Sequence, residues 1–158
     1  MSPCSGCGGG FPESDGPTHP YMLSSPGCWA AYGALLEREY SDPELFAASH
    51  RLTVDAYAVQ HPGLATDRRA VQSVTIHFAS LHAILELGWS HADARAHLQR
   101  LAGRDYASLP AALRFDLTLA DLDGLPVGQH RERVEQWAIS AYRAWRPLLL
   151  SVVEPLFA

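Results

Sequence analysis

The chain has 158 residues, 47% apolar and 18% charged, with 12 basic and 17 acidic side chains and a formal net charge of -5. This length suits one domain spanning residues 1–158, and the composition is too apolar for a disordered chain. An acidic surface repels nucleic acid and anionic membranes, and no stretch approaches the roughly 20 apolar residues of a spanning helix, so neither partner is expected.

The opening MSPCSGCGGG has neither the basic nor the apolar part of a secretory signal. A reducing cytoplasm is therefore the expected compartment, and the three cysteines are expected as thiols or metal ligands rather than disulfides. Residues 1–25, rich in Gly, Pro, Ser and Cys, read as an irregular arm with too few apolar groups to order itself.

Ser25-Pro26 matches an N-cap followed by proline at the first helical position, opening a helix that runs to about Tyr40. Ser41-Asp42-Pro43-Glu44 reads as a capping box for a second helix that reaches His61, where Pro62-Gly63 stops it. Thr66-Asp67 begins a third, ended near Leu87 by Gly88, and Ser90 with Asp93 begins a fourth, closed by Gly103. Ser108-Leu109-Pro110 starts a short helical turn. Phe115, Leu117 and Leu119 alternate like a strand, but one strand without a partner reads better as extended loop. A last helix runs from about Gln129 to Arg146, where Pro147 kinks or ends it.

At 100° per residue, Val71, Val74, Phe78, Leu81 and Leu85 form one stripe of the third helix, and Val134, Trp137, Ala141, Trp145 and Leu148 one stripe of the last. The second helix carries two largely non-polar faces, with Arg51 and Asp55 away from both, which predicts a central position. The fold class is mostly α: a bundle of about five helices with a cysteine-containing N-terminal arm.

Cys4 and Cys7 form Cys-x-x-Cys before Gly8-Gly9-Gly10, a spacing that lets two thiolates reach one ion from a tight knuckle. Cys28 falls in the first turn of the first helix, where backbone N–H groups favour a thiolate. Three thiolates leave one tetrahedral position. His19 is the nearest candidate; His50 or His61 takes its place if the arm folds back on the second helix. Such a set predicts structural zinc rather than an iron–sulfur cluster, which usually takes four cysteines. A redox Cys4–Cys7 pair and an unliganded thiol pair with Cys28 in the core are the other readings. The first of these lacks the βαβ context it usually has.

Eight histidines are many for this length. His50 and His61 share a helix face but stand about 16 Å apart along it, too far to hold one ion together. His77 and His82 edge the third helix's stripe. A site joining a histidine of the second helix to His77, with Asp55 or Glu86, would suit water activation. Against it, a histidine beside an apolar stripe is more often an interior hydrogen-bonding group. His91, His97 and His130 lie near polar helix ends and are expected to be solvated, and Trp29, Trp89, Trp137 and Trp145 are expected in or at the edge of the core. No nucleophile elbow, Walker loop or Gly-x-Gly-x-x-Gly is present.

The Cys4-x-x-Cys7-Gly8 knuckle, Ser24-Ser-Pro-Gly-Cys-Trp29, His50-Arg-Leu-Thr-Val-Asp-Ala-Tyr-Ala-Val-Gln-His-Pro-Gly63 and Val71-Gln-Ser-Val-Thr-Ile-His77 together resemble an uncharacterised family of small bacterial proteins over about the first 90 residues. The resemblance implies no activity; it singles out His50, Asp55, Gln60, His61 and His77. The leading expectation is a metal-stabilised helical binding or accessory module. The second is a small hydrolase or transferase using His50, Asp55, His61 and His77. The third is a thiol redox protein. Apolar C-terminal residues make a homodimer possible; no residue names a partner.

Overall fold

The computed structural model describes residues 1–106, 109 and 113–158, so the helical turn expected at Ser108 and Pro110 lies outside the described residues. Among the described residues five α-helices follow a small hairpin: β1 (Ser2–Pro3), β2 (Gly10–Phe11), α1 (Pro26–Tyr40), α2 (Pro43–Gln60), α3 (Arg68–Leu85), α4 (His91–Leu101) and α5 (His130–Val153). Single 3-10 turns occur at Leu119–Asp121, Val127–Gln129 and Glu154–Phe157. The arm is thus less irregular than its composition suggests, because β1 and β2 pair antiparallel with Ser2 opposite Phe11.

The helix starts follow from short polar side chains that satisfy otherwise unbonded first-turn N–H groups. Ser25 caps α1 through Cys28 N–H, Asp67 caps α3 through Arg69 N–H, and Ser90 caps α4 through Asp93 N–H. At α2 the expected capping box is replaced by Asp42, whose carboxylate accepts from Glu44 and Leu45 N–H. Ser41 closes the preceding helix instead, donating to the Glu37 carbonyl at 2.7 Å. Around Leu119 the chain does not stay extended: Thr118 and Asp121 cap each other across a 3-10 turn.

Helix α2 is central, packing against α1, α3 and α5. Trp137 and Trp145 of α5 are fully buried against its C-terminal end. Trp145 Nε1–H donates to the Val59 carbonyl at 2.7 Å and Trp137 Nε1–H to Gln60 Oε1 at 2.9 Å. Gln60 Nε2–H in turn donates to the Leu117 carbonyl at 2.7 Å, so both ends of this interior amide are used.

Pro147 does not end α5, which continues for more than a turn beyond it. Proline removes one helical N–H, but Pro147 and Arg143 lie on the exposed side, where water can serve the freed carbonyl. The buried stripe also continues past the proline through Trp145, Leu149 and Val153, holding the last turns down. Leu149 rather than Leu148 carries that stripe; Leu148 is 42% exposed.

Candidate metal centre

The hairpin holds Cys4 and Cys7 in a knuckle. Cys4 N–H donates to the Gly9 carbonyl at 2.8 Å and Gly8 N–H returns to the Cys4 carbonyl at 2.9 Å. Gly8 has φ +79°, a left-handed turn that a side chain would strain. Phe11, fully buried, anchors the second strand in the core. The arm then runs back to Ser25, and the α1 cap places Cys28 in the first helical turn with its side chain inward.

His61, the residue that ends α2, completes the group. Sγ of Cys4, Cys7 and Cys28 and a ring nitrogen of His61 all lie within 4.8 Å of one another, and all four residues are buried. This cluster can hold a metal ion. His61 Nδ1–H donates to the Tyr57 carbonyl one turn earlier at 2.6 Å, and the ring stacks on Tyr57 with centroids 3.8 Å apart. That bond leaves Nε2 with a lone pair, 3.3 Å from Cys28 Sγ, the tautomer a metal ligand needs. Tetrahedral zinc, with Zn–S about 2.3 Å and Zn–N about 2.0 Å, separates its ligand atoms by roughly 3.5–3.8 Å, so the donor set fits one central ion after small adjustments.

The surroundings favour negative sulfur. Gly6 and Ser25 N–H both point at Cys4 Sγ at 3.4 Å, and the Tyr57 hydroxyl stands 3.7 Å from Cys28 Sγ, placed to donate to a thiolate. Three thiolates nevertheless repel one another when no cation is between them. Hydrogen bonds from Cys28 and then Cys7 hold the Cys4 thiol far below its ordinary range. Contacts with Cys4 and Cys7, with burial, push Cys28 far above it. For Cys7 the Cys28 contact pulls downward, but the Cys4 contact and burial outweigh it and leave the thiol at about 11. Without a cation between them the three sulfurs are thus held unequally, Cys4 low and Cys7 and Cys28 high.

His19, the nearest candidate in sequence, stands outside this group. Its Nδ1 accepts the N–H groups of Tyr21 and Met22, both at 3.2 Å, and its ring packs edge-on against Tyr21 and Trp29. The side chain organises the arm's return instead.

The family model for a family of unknown function, DUF5946, matches residues 2–146. The chain belongs to this family. No curated protein matches the chain, and no solved structure does. The DUF5946 match extends well past the first 90 residues and agrees with the uncharacterised family that the motifs suggested.

The other histidines singled out in this DUF5946 chain form two carboxylate pairs. His77 of α3 meets Asp55 of α2, Nδ1 to Oδ1 at 2.7 Å, with Arg51 Nη2 donating to the same oxygen. Arg51 Nη2 also lies 3.1 Å from His77 Nδ1. The shorter contact is the hydrogen bond, with His77 Nδ1–H donating to the Asp55 carboxylate. Glu39, fully buried on α1, accepts from His50 Nδ1 at 3.0 Å, from His130 Nε2 at 2.9 Å and from the Thr53 hydroxyl. His50 and His77 line different clefts, one with Tyr40 and Phe46, the other with Tyr21 and Arg69. His61, expected alongside them in an enzyme site, is in the cysteine cluster.

Three expectations change here, the first at His91, which is half-buried rather than solvated. His130 is buried, not solvated, because the Glu39 carboxylate draws it inward from the first residue of α5. His97 is half-buried and donates from Nε2 to the Leu156 carbonyl at 2.9 Å. Sequence reasoning missed Glu39 altogether: in Glu37-Arg38-Glu39-Tyr40 nothing separates a buried acid from a solvated one. Tyr57 carried a usable signal, since four residues before His61 places it one turn away on the same face.

Proposed function

We propose that Cys4, Cys7, Cys28 and His61 hold one structural zinc ion that pins the N-terminal arm to the start of α1 and the end of α2, and that the chain serves as a metal-stabilised binding or accessory module. The observation that carries this reading is the orientation of His61: its Nδ1–H is spent on the Tyr57 carbonyl, so Nε2 faces three buried sulfurs. When bound, the ion would supply positive charge that lets three thiolates coexist, and folding free energy for an arm with few apolar groups. The site is closed, with four protein donors and no position left for substrate, which favours a structural over a catalytic ion.

Zinc suits the set because tetrahedral thiolate–imidazole coordination matches its preference and asks for no redox change. Gly6 and Ser25 N–H and the Tyr57 hydroxyl would disperse the excess negative charge of three thiolates around a dication. The test is the Cys7→Ser protein. Lower metal content, a lower melting temperature and faster proteolysis within residues 1–25 support the reading; full metal content with wild-type stability overturns it.

A further inference from the structure

We propose that the cleft between the end of α1, the first turns of α2 and the start of α4 binds a small organic anion, a phosphate or carboxylate carried on a flat ring. This is independent of the zinc reading, since none of the four cluster residues lines the cleft.

The cleft holds about 510 Å3 and is lined by Tyr40, Phe46, His50, Arg51, His91 and Arg95, among others. One wall is aromatic and open to solvent: Tyr40 is 66% and Phe46 38% exposed, with ring centroids 5.5 Å apart. Phe46 lies flat on His50, centroids 4.2 Å apart and planes within 17°. A planar ligand ring has a stacking surface there.

The other wall carries Arg51 and Arg95 in a chain whose net charge is -5. Arg51 Nη2 is bonded to Asp55, but Arg51 Nε is buried with no hydrogen-bond partner among the described residues. Arg95 is exposed and enters no ion pair among the described residues. Burial holds His91 below its ordinary range, so it meets the cleft neutral at pH 7. His50 Nδ1 bonds buried Glu39 at 3.0 Å, which locks its ring at the cleft wall.

An adjoining cleft of about 580 Å3 shares His91 and sets Arg131, Arg143 and Arg146 against Glu86 and Glu135, with Arg146 donating to Glu86 at 2.6 Å. Among the described residues no carboxylate lines the cleft beside Tyr40 itself, though Asp55 and Glu39 stand behind it, bonded to Arg51 and His50. The open aromatic wall of Tyr40 and Phe46 assigns a ring-bearing anion to this cleft, since the adjoining one offers only the buried Tyr142.

The test titrates the full-length protein with phenyl phosphate, benzoate and inorganic phosphate, followed by calorimetry and by the ring NMR signals of His50 and His91. Saturable shifts of both histidines by phenyl phosphate or benzoate are expected, with inorganic phosphate weaker; the tighter of the two aromatic probes names the head group. Arg95→Gln, at an exposed position with no ion-pair partner among the described residues, should keep the melting temperature and weaken binding about tenfold. Tyr40→Ala should weaken the aromatic probes and leave inorganic phosphate unchanged. Absence of saturable binding at concentrations on the order of 10 mM, equal affinity for inorganic phosphate, or indifference to both substitutions overturns the proposal.

Discussion

Gly6→Ala tests the position of the knuckle against His61 without touching a ligand. A Cβ at Gly6 would lie 2.2 Å from the Leu23 carbonyl oxygen and 2.5 Å from Cδ2 of His61, whereas ordinary contact begins at 3.4 Å. Neither neighbour can yield cheaply: Leu23 offers backbone, and the His61 ring is bonded to the Tyr57 carbonyl and stacked on Tyr57. The knuckle must therefore retreat by about 1 Å, which is several times the tolerance of roughly 0.2 Å in metal–ligand distance. Overpacking of this kind costs about 1–3 kcal/mol, equivalent to a loss of roughly 5- to 150-fold in zinc affinity. Gly10→Ala is the control, because its Cβ would meet only Met1 Cε at 3.7 Å. The assay is competition with a chelator of known zinc affinity, alongside thermal unfolding. Equal affinity and stability for the Gly6→Ala and Gly10→Ala proteins would refute the placement of the knuckle on His61.

Glu39→Ala strips His50, His130 and Thr53 of their common acceptor, and should cost about 3 kcal/mol or more, a fall of about 6–12 °C in melting temperature; a change within 1–2 °C would contradict the burial of an interior carboxylate there. Gln60→Leu leaves the Trp137 indole N–H and the Leu117 carbonyl without their partner and should cost about 2–4 kcal/mol in urea unfolding, with the denaturant slope unchanged. Cys7 at about 11, and Cys28 pushed up by Cys4, keep their protons at neutral pH in the metal-free cluster. Zinc must displace them, so binding at pH 7 should release about two protons and weaken as pH falls. Calorimetry in buffers of different ionisation enthalpy reads that number, and no buffer dependence would count against thiolate ligation.

The helices were legible where local chemistry decides them. Ser25-Pro26, Asp67 and Ser90 work as caps because a short side chain reaches N–H groups two or three residues on, whatever the rest of the chain does. Pro147 misled because the rule that proline ends helices is local. Burial of Trp145, Leu149 and Val153 on either side of it is a tertiary effect. In the candidate site, Cys4, Cys7 and Cys28 were readable from spacing and from helix position. The choice of His61 over His19 was not, since it depends on the arm folding back to the end of α2, a contact across 33 residues from Cys28. Asp55 shows the same limit: it lies away from both apolar stripes yet is fully buried, because Arg51 and His77 cover it as partners rather than as apolar neighbours.

The metal content of the natively purified protein, by elemental analysis and native mass spectrometry, decides whether the cysteine cluster is a zinc centre. One zinc ion per chain is predicted, lost in the Cys28→Ser and His61→Asn proteins and retained in His19→Asn. A chain with no metal after anaerobic preparation, or one that loses its ion with His19→Asn and keeps it with His61→Asn, would contradict the account.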